Sequence, residues 1–206
     1  LRRWMKKSQL GHLLVTNEVN VTYLTGFTGD SSFLLLHPGG AIVISDSRYA
    51  EQLQEECPDV EHDIRHSAQP IVAATARLAG RIKATSMGVE SASMTMALFQ
   101  QLDAAVGDLE LVTTSGEVEQ LREIKDRGEI ATIRRAVRIA ERAFAATRAM
   151  MRDGQPEREV AFELEHQVRL LGARACSFDP IVAVGPRSAL PSRRAGDVTR
   201  TPRSPS

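Results

Sequence analysis

Residues 32–45 read SFLLLHPGGAIVIS. Two short apolar runs, 32–37 and 41–45, flank Pro38-Gly39-Gly40, and that turn chemistry predicts an antiparallel hairpin. Immediately upstream, residues 12–16 (HLLVT) form a third run of strand length. Leu1, Trp4 and Met5 are helically spaced ahead of Gly11, which predicts a short amphipathic helix closed by that glycine. Downstream the rhythm changes. Residues 48–57 read as a helix stopped by Pro58, 60–65 as an alternating strand, and 70–83 as an alanine-rich helix with proline in its first turn. A strand at 86–90, a helix at 95–106 with Met96, Phe99 and Val106 inward, and a strand at 109–113 complete the series. Strands alternating with helices of this length predict an α/β domain, a mixed sheet with helices on both faces, over residues 1–115.

The next seventy residues are helical in pattern. Ile130, Ile133, Val137, Ala140, Phe144 and Met151 recur at steps of three and four, with Arg134, Arg135, Arg138, Glu141, Arg142 and Arg148 opposite. Arg152-Asp153-Gly154 breaks this helix, and Pro156 opens another with Glu157 and Glu159 favourably placed in its first turn. Its stripe is Val160, Ala161, Leu164, Val168 and Leu171, and Gly172 ends it. Residues 177–184 (SFDPIVAV) read as a further strand, so 116–185 predict the opening of a second, incomplete α+β domain. Residues 186–206 contain five Arg, four Ser and four Pro with almost no large apolar side chain. Such a segment buries too little surface to offset its ordering entropy and is expected to be disordered.

Composition narrows the function classes. Of 206 residues, 26 Lys+Arg balance 26 Asp+Glu, so no long-range field gathers phosphates or anionic lipid, and neither nucleic acid nor a membrane is the expected partner. No apolar run reaches the ~18–20 residues of a bilayer span, and residues 1–10 carry charges where a signal peptide has its apolar core; a cytoplasmic location is expected. Cys57 and Cys176 stand 119 positions apart with no other cysteine, which points to two reduced thiols rather than a disulfide framework or a thiolate zinc site.

Four stretches together resemble one family: NVTYLTGFTG at 20–29, AIVISDSRY at 41–49, LREIKDRGEIATIRRAVRIAERAF at 121–144 and GARACSFDPIVAVGPRSALP at 172–191. In order and spacing they are similar to the Xaa-Pro peptidase and creatinase family. The resemblance implies a creatinase-type N-terminal domain followed by a pita-bread catalytic domain that hydrolyses the bond before proline. It also implies two divalent metals, manganese or a similar ion, held by two aspartates, a histidine and two glutamates. An Xaa-Pro aminopeptidase is the nearest activity, with an X-Pro dipeptidase and a creatinase as alternatives. Peptides with proline at the second position are the implied partners, and a homo-oligomer through the N-terminal domain is expected.

All five family ligands fall downstream of the SALP segment. Residues 173–206 hold two carboxylates, Asp179 and Asp197, and no Glu or His. No catalytic, cofactor-binding or metal-ligating residue is therefore expected in the chain, and no activity from it alone. Where the family places an assisting histidine directly after ALP, this sequence has Ser192, which cannot relay a proton as an imidazole does near neutral pH. A remnant acting only in self-association, or in pairing with an intact relative, is the reading from another class.

Other polar groups have structural readings beside functional ones. His62 and His66 lie on a strand and its exit, which does not converge them on a metal. His166, near Glu163 and Glu165, faces solvent on its helix. Asp46, Arg48 and Tyr49 stand at a strand end, where open α/β sheets keep functional groups, or else form a capping aspartate with a packed tyrosine. Asn20, Tyr23 and the glycines at 26 and 29 read as a tight-turn loop, similar to one near the subunit contact in relatives.

Overall fold

The computed structural model describes residues 1–66, 68–189, 195, 196 and 199, and the chain divides into two compact units, Leu1–Ile124 and Lys125–Ser206. The first is built on six strands: β1 (Leu13–Val15), β2 (Phe33–His37), β3 (Gly40–Asp46), β4 (Glu61–Arg65), β5 (Ser86–Glu90) and β6 (Glu110–Thr114). The expected hairpin is present. Phe33 faces Ile44 and His37 faces Gly40, so Pro38-Gly39 is a two-residue connection. Strand order is β4-β3-β2-β1-β5-β6, with β2 antiparallel to both β1 and β3 and the outer pairs parallel.

Strand alternation divides the buried side chains into two layers. On one face Leu13, Val15, Leu34, Leu36 and Val43 pack with Met5, Val21, Phe27, Leu53 and Val118. These come from α1 (Arg2–Lys7), α2 (Glu18–Thr25), α3 (Ala50–Glu56), α6 (Glu117–Glu123) and the turn after α2. On the other face Leu14, Leu35, Ile42, Ile44, Met87 and Val89 meet Val72 and Leu78 of α4 (Ile71–Arg81) and Leu102 of α5 (Met96–Val106). The first unit is a mixed sheet with helices on both faces, as the alternating pattern implied.

Four readings in the first unit differ from the structure. Met96 is 73% exposed and Leu102 is the buried residue of α5; at about 100° per residue, Met96 lies roughly 120° around the helix from it. Asn20 and Tyr23, read as part of a tight-turn loop, lie in α2. Asn17 caps it by accepting from the Val19 amide, and Gly26 ends it at φ 85°, but Val19, Val21, Thr22 and Thr25 are poor helix formers that hide it from a propensity reading. The first helix ends at Ser8 rather than at Gly11. Finally, α6 carries the first unit to Ile124, nine residues beyond the seam the pattern suggested.

The second unit contains α7 (Arg127–Met150) and α8 (Glu157–Leu170). A capping box starts α7: Asp126 accepts from the Glu129 amide and the Glu129 side chain accepts from the Asp126 amide, both at 2.8 Å. The helices meet through small residues, with Ala143 and Thr147 of α7 and Val160, Ala161 and Val168 of α8 buried. The large stripe of α7 stays open, Ile133 at 48%, Val137 at 50% and Phe144 at 62% exposure. Residues 177–184 are not a strand. A strand needs a hydrogen-bonded ladder, and every strand among the described residues lies in the first unit. The expected disorder from 186 onward is also corrected in part. Gly185–Ala189 form a 3₁₀ turn, and Gly196 is hydrogen-bonded to the start of α8; residues 190–194, 197, 198 and 200–206 lie outside the described residues.

Candidate functional site

Polar groups gather at two places in the first unit, both where strands end. At the end of β3, Asp46 is 2% exposed. Its Oδ1 accepts from the Arg48 amide and from Arg48 Nε, both at 3.0 Å. Its Oδ2 accepts from Arg48 Nη2 at 2.8 Å and from Arg65 Nη2 at 3.2 Å. The Arg48 hydrogen bond, joined by the charges of Arg48 and Arg65, holds the carboxyl at about 2 against the opposing effect of burial. Tyr49 donates to Asp30 Oδ1 at 2.5 Å, which lowers the carboxyl's pKa and raises the phenol's. The Tyr49 ring meets Phe27 edge-on at 5.6 Å, and the Arg48 guanidinium sits 5.3 Å from the ring centroid. Gly29 passes across this pair. A Cβ there would collide with the Phe27 ring and approach Tyr49 to 2.9 Å. All the acceptor capacity of Asp46 is taken up in capping and ion pairing, so the cluster is a rigid corner rather than an acid or base awaiting substrate.

The second cluster centres on Asn20, fully buried on α2. Its Nδ2 donates to Glu90 Oε1 at 2.7 Å and Glu119 Oε1 at 2.6 Å, and its Oδ1 accepts from Arg122 Nη1 at 2.9 Å. Glu90, ending β5, also accepts from the Thr16 and Asn17 amides at 2.6 and 2.9 Å. One amide side chain thus joins α2, β5 and α6. Tyr23 adds a hydrogen bond to the Leu121 carbonyl at 3.2 Å. Sequence reasoning picked out Asn20 but missed Glu90, Glu119 and Arg122. The one available signal was a glutamate closing an otherwise buried strand.

The remaining candidates do not converge. His62 Nε2 hydrogen-bonds the Cys57 carbonyl at 2.9 Å, while His66 and His166 are exposed. Both cysteines are free thiols, and burial raises each pKa. Asp179 is exposed in coil; Asp197 and Ser192 lie outside the described residues. Among the described residues no group of three or more His, Cys, Asp or Glu could hold a metal ion. With two carboxylates and no imidazole after residue 172, the residues present do not supply the five-ligand set that the family resemblance implies.

The second unit offers an apolar groove of about 620 Å³, lined among others by Ile139, Ala140, Phe144, Leu164, Cys176 and Phe178. It has apolar walls and no convergent catalytic groups. Among the described residues, no helix is long and apolar enough to cross a membrane.

Comparison with known proteins agrees with this division. The Creatinase/Prolidase N-terminal domain model matches residues 1–124, and the Metallopeptidase family M24 model matches residues 131–203. An uncharacterised peptidase of Bacillus subtilis (strain 168), YqhT, is 36% identical over 197 residues, which are 96% of this chain and 55% of the relative. The solved Xaa-Pro dipeptidase from Bacillus anthracis aligns with a TM-score of 0.88 at 34% identity, over 97% of this chain and 55% of that one. The X-Pro aminopeptidase from Thermotoga maritima MSB8 gives 0.84 at 33% identity, over 92% and 55%. The chain therefore spans about half the length of the relatives it matches.

Proposed function

Because the chain belongs to the creatinase/prolidase family of Xaa-Pro peptidases, we propose that it forms the N-terminal domain and the opening of the catalytic domain of a metal-dependent peptidase cleaving the bond before proline. The substrates are short peptides with proline at the second position. The family's metal pair, when bound, supplies a Lewis acid and an activated water. The 206 residues contribute no ligand set to it and do not turn over substrate by themselves.

The observation that carries this reading is the state of the second unit. Its α7 presents Ile133, Val137 and Phe144 at 48–62% exposure, although burying side chains of this size is worth ~1.5–3 kcal/mol each. A face of that kind awaits a covering layer. In this proposal the cover is the remaining part of an M24 domain, which carries the metal ligands. The test extends the chain in the family's frame through those ligands and assays an X-Pro dipeptide and an X-Pro-containing tripeptide, with and without Mn²⁺. Metal-dependent cleavage at the bond before proline supports the proposal, and preference between the two substrates separates dipeptidase from aminopeptidase. A folded, metal-loaded extended chain that cleaves neither would overturn it.

A further inference from the structure

Glu157 is fully buried in the first turn of α8. A glutamate at that position usually lies in solvent, where the helix dipole alone favours it. Here its Oε1 accepts from the Val184 amide at 2.9 Å, and its Oε2 accepts from the Gly196 amide at 3.1 Å and from Arg187 Nη2 at 3.1 Å. The start of α8 answers in kind. The helix has no side-chain cap, and the Arg158 amide donates to the Gly196 carbonyl at 3.0 Å. Both polar groups of Gly196 are thus held by one helical turn. Val184 and Gly196 are twelve positions apart in sequence, yet one carboxylate receives both.

We propose that Glu157 is a clasp that makes Val184, Arg187, Gly196 and the first turn of α8 a single opening unit. A buried carboxylate is tolerable only while its acceptors are filled. Losing either amide removes a donor from the buried carboxylate and weakens the hold on the other, so the two attachments open together rather than fraying one at a time. Glutamine cannot replace the residue, because its amide group would present a donor to one of the two backbone N–H groups.

The test is amide hydrogen exchange, resolved by NMR, on the 206-residue chain and its Glu157→Gln and Arg187→Ala variants. In the unmodified chain the Arg158, Val184 and Gly196 amides should exchange with a common opening constant. Glu157→Gln should accelerate all three at least tenfold while the Leu14 and Val43 amides keep their protection. Arg187→Ala leaves the carboxylate in place and should accelerate the same three by a common, smaller factor. If Glu157→Gln unfolds α8 altogether, Arg187→Ala carries the decision. Acceleration of Gly196 alone, with Val184 unchanged, would overturn the clasp, as would unchanged exchange in both variants.

Discussion

At the scale of single residues, the two polar clusters of the first unit are held differently, one by ion pairs to Asp46 and the other by the shared amide of Asn20. Asp46 has its pKa lowered from an ordinary 3.8 to about 2 by Arg48 and Arg65. A depressed folded-state pKa gives stability that is complete above the unfolded value and is lost as pH falls through the folded one. Asp46→Asn should therefore cost on the order of 1–2 kcal/mol at pH 5 to 8, with the difference from the unmodified chain shrinking between pH 4 and 2. Urea denaturation across that range reads it, and a difference that grows on acidification contradicts the assignment. Asn20 has no titratable group of its own, but its removal takes one donor from each of Glu90 and Glu119 and an acceptor from Arg122. Asn20→Leu should destabilise the first unit by about 1–3 kcal/mol at neutral pH, seen as a lowered urea midpoint. What the sequence disclosed here was uneven. DSRY was visible as a strand-end motif, because capping is local; the Glu90–Asn20–Glu119 junction joins positions 70 and 99 apart, and no short-range pattern carries such a pairing.

Secondary-structure elements show the same division between local and distant causes. The β2–β3 hairpin, α4, β5 and the two long helices were legible because turn residues, capping and apolar spacing lie within each segment. In α2, capping signals at Asn17 and Gly26 were present but outweighed by β-branched residues; in residues 177–184, strand-like composition met no ladder partner. For α7, apolar period and actual burial differ. The stripe read from the sequence is the open face, while Ala143 and Thr147 make the contact with α8. Ala143→Leu should consequently cost about 1–3 kcal/mol by overpacking, whereas Phe144→Ser should change stability by less than about 0.5 kcal/mol as an exposed substitution does. Thermal melts followed at α-helical wavelengths compare the two; a larger loss from Phe144→Ser would show that this ring is covered.

For the whole molecule, the first unit has two filled apolar layers on the two faces of a six-stranded sheet, and the second has two helices with an open face. Ile124, 84% exposed, ends the first unit, and Lys125 and Arg127 follow it immediately. Brief trypsin treatment should cut there and leave a resistant fragment ending near residue 125. Equal resistance on both sides of Lys125 would contradict two units of unequal stability. The family membership was legible from four stretches of sequence, since those stretches are local. The ligand set that the resemblance implies was not legible as a local pattern: residues 173–206 hold two aspartates and no Glu or His.

The central claim is that these 206 residues fold the N-terminal domain of an Xaa-Pro peptidase without its metal-assisted chemistry. Most of a rate enhancement that exceeds ~10⁶-fold in such enzymes depends on the activated nucleophile, and a lone side chain does not replace it. The direct measurement is release of the N-terminal residue from an X-Pro-containing tripeptide by the purified 206-residue chain, with and without Mn²⁺, alongside its Ser192→His variant. The account predicts background rates in all four cases. Metal-dependent turnover by the unmodified chain that survives repurification would contradict it.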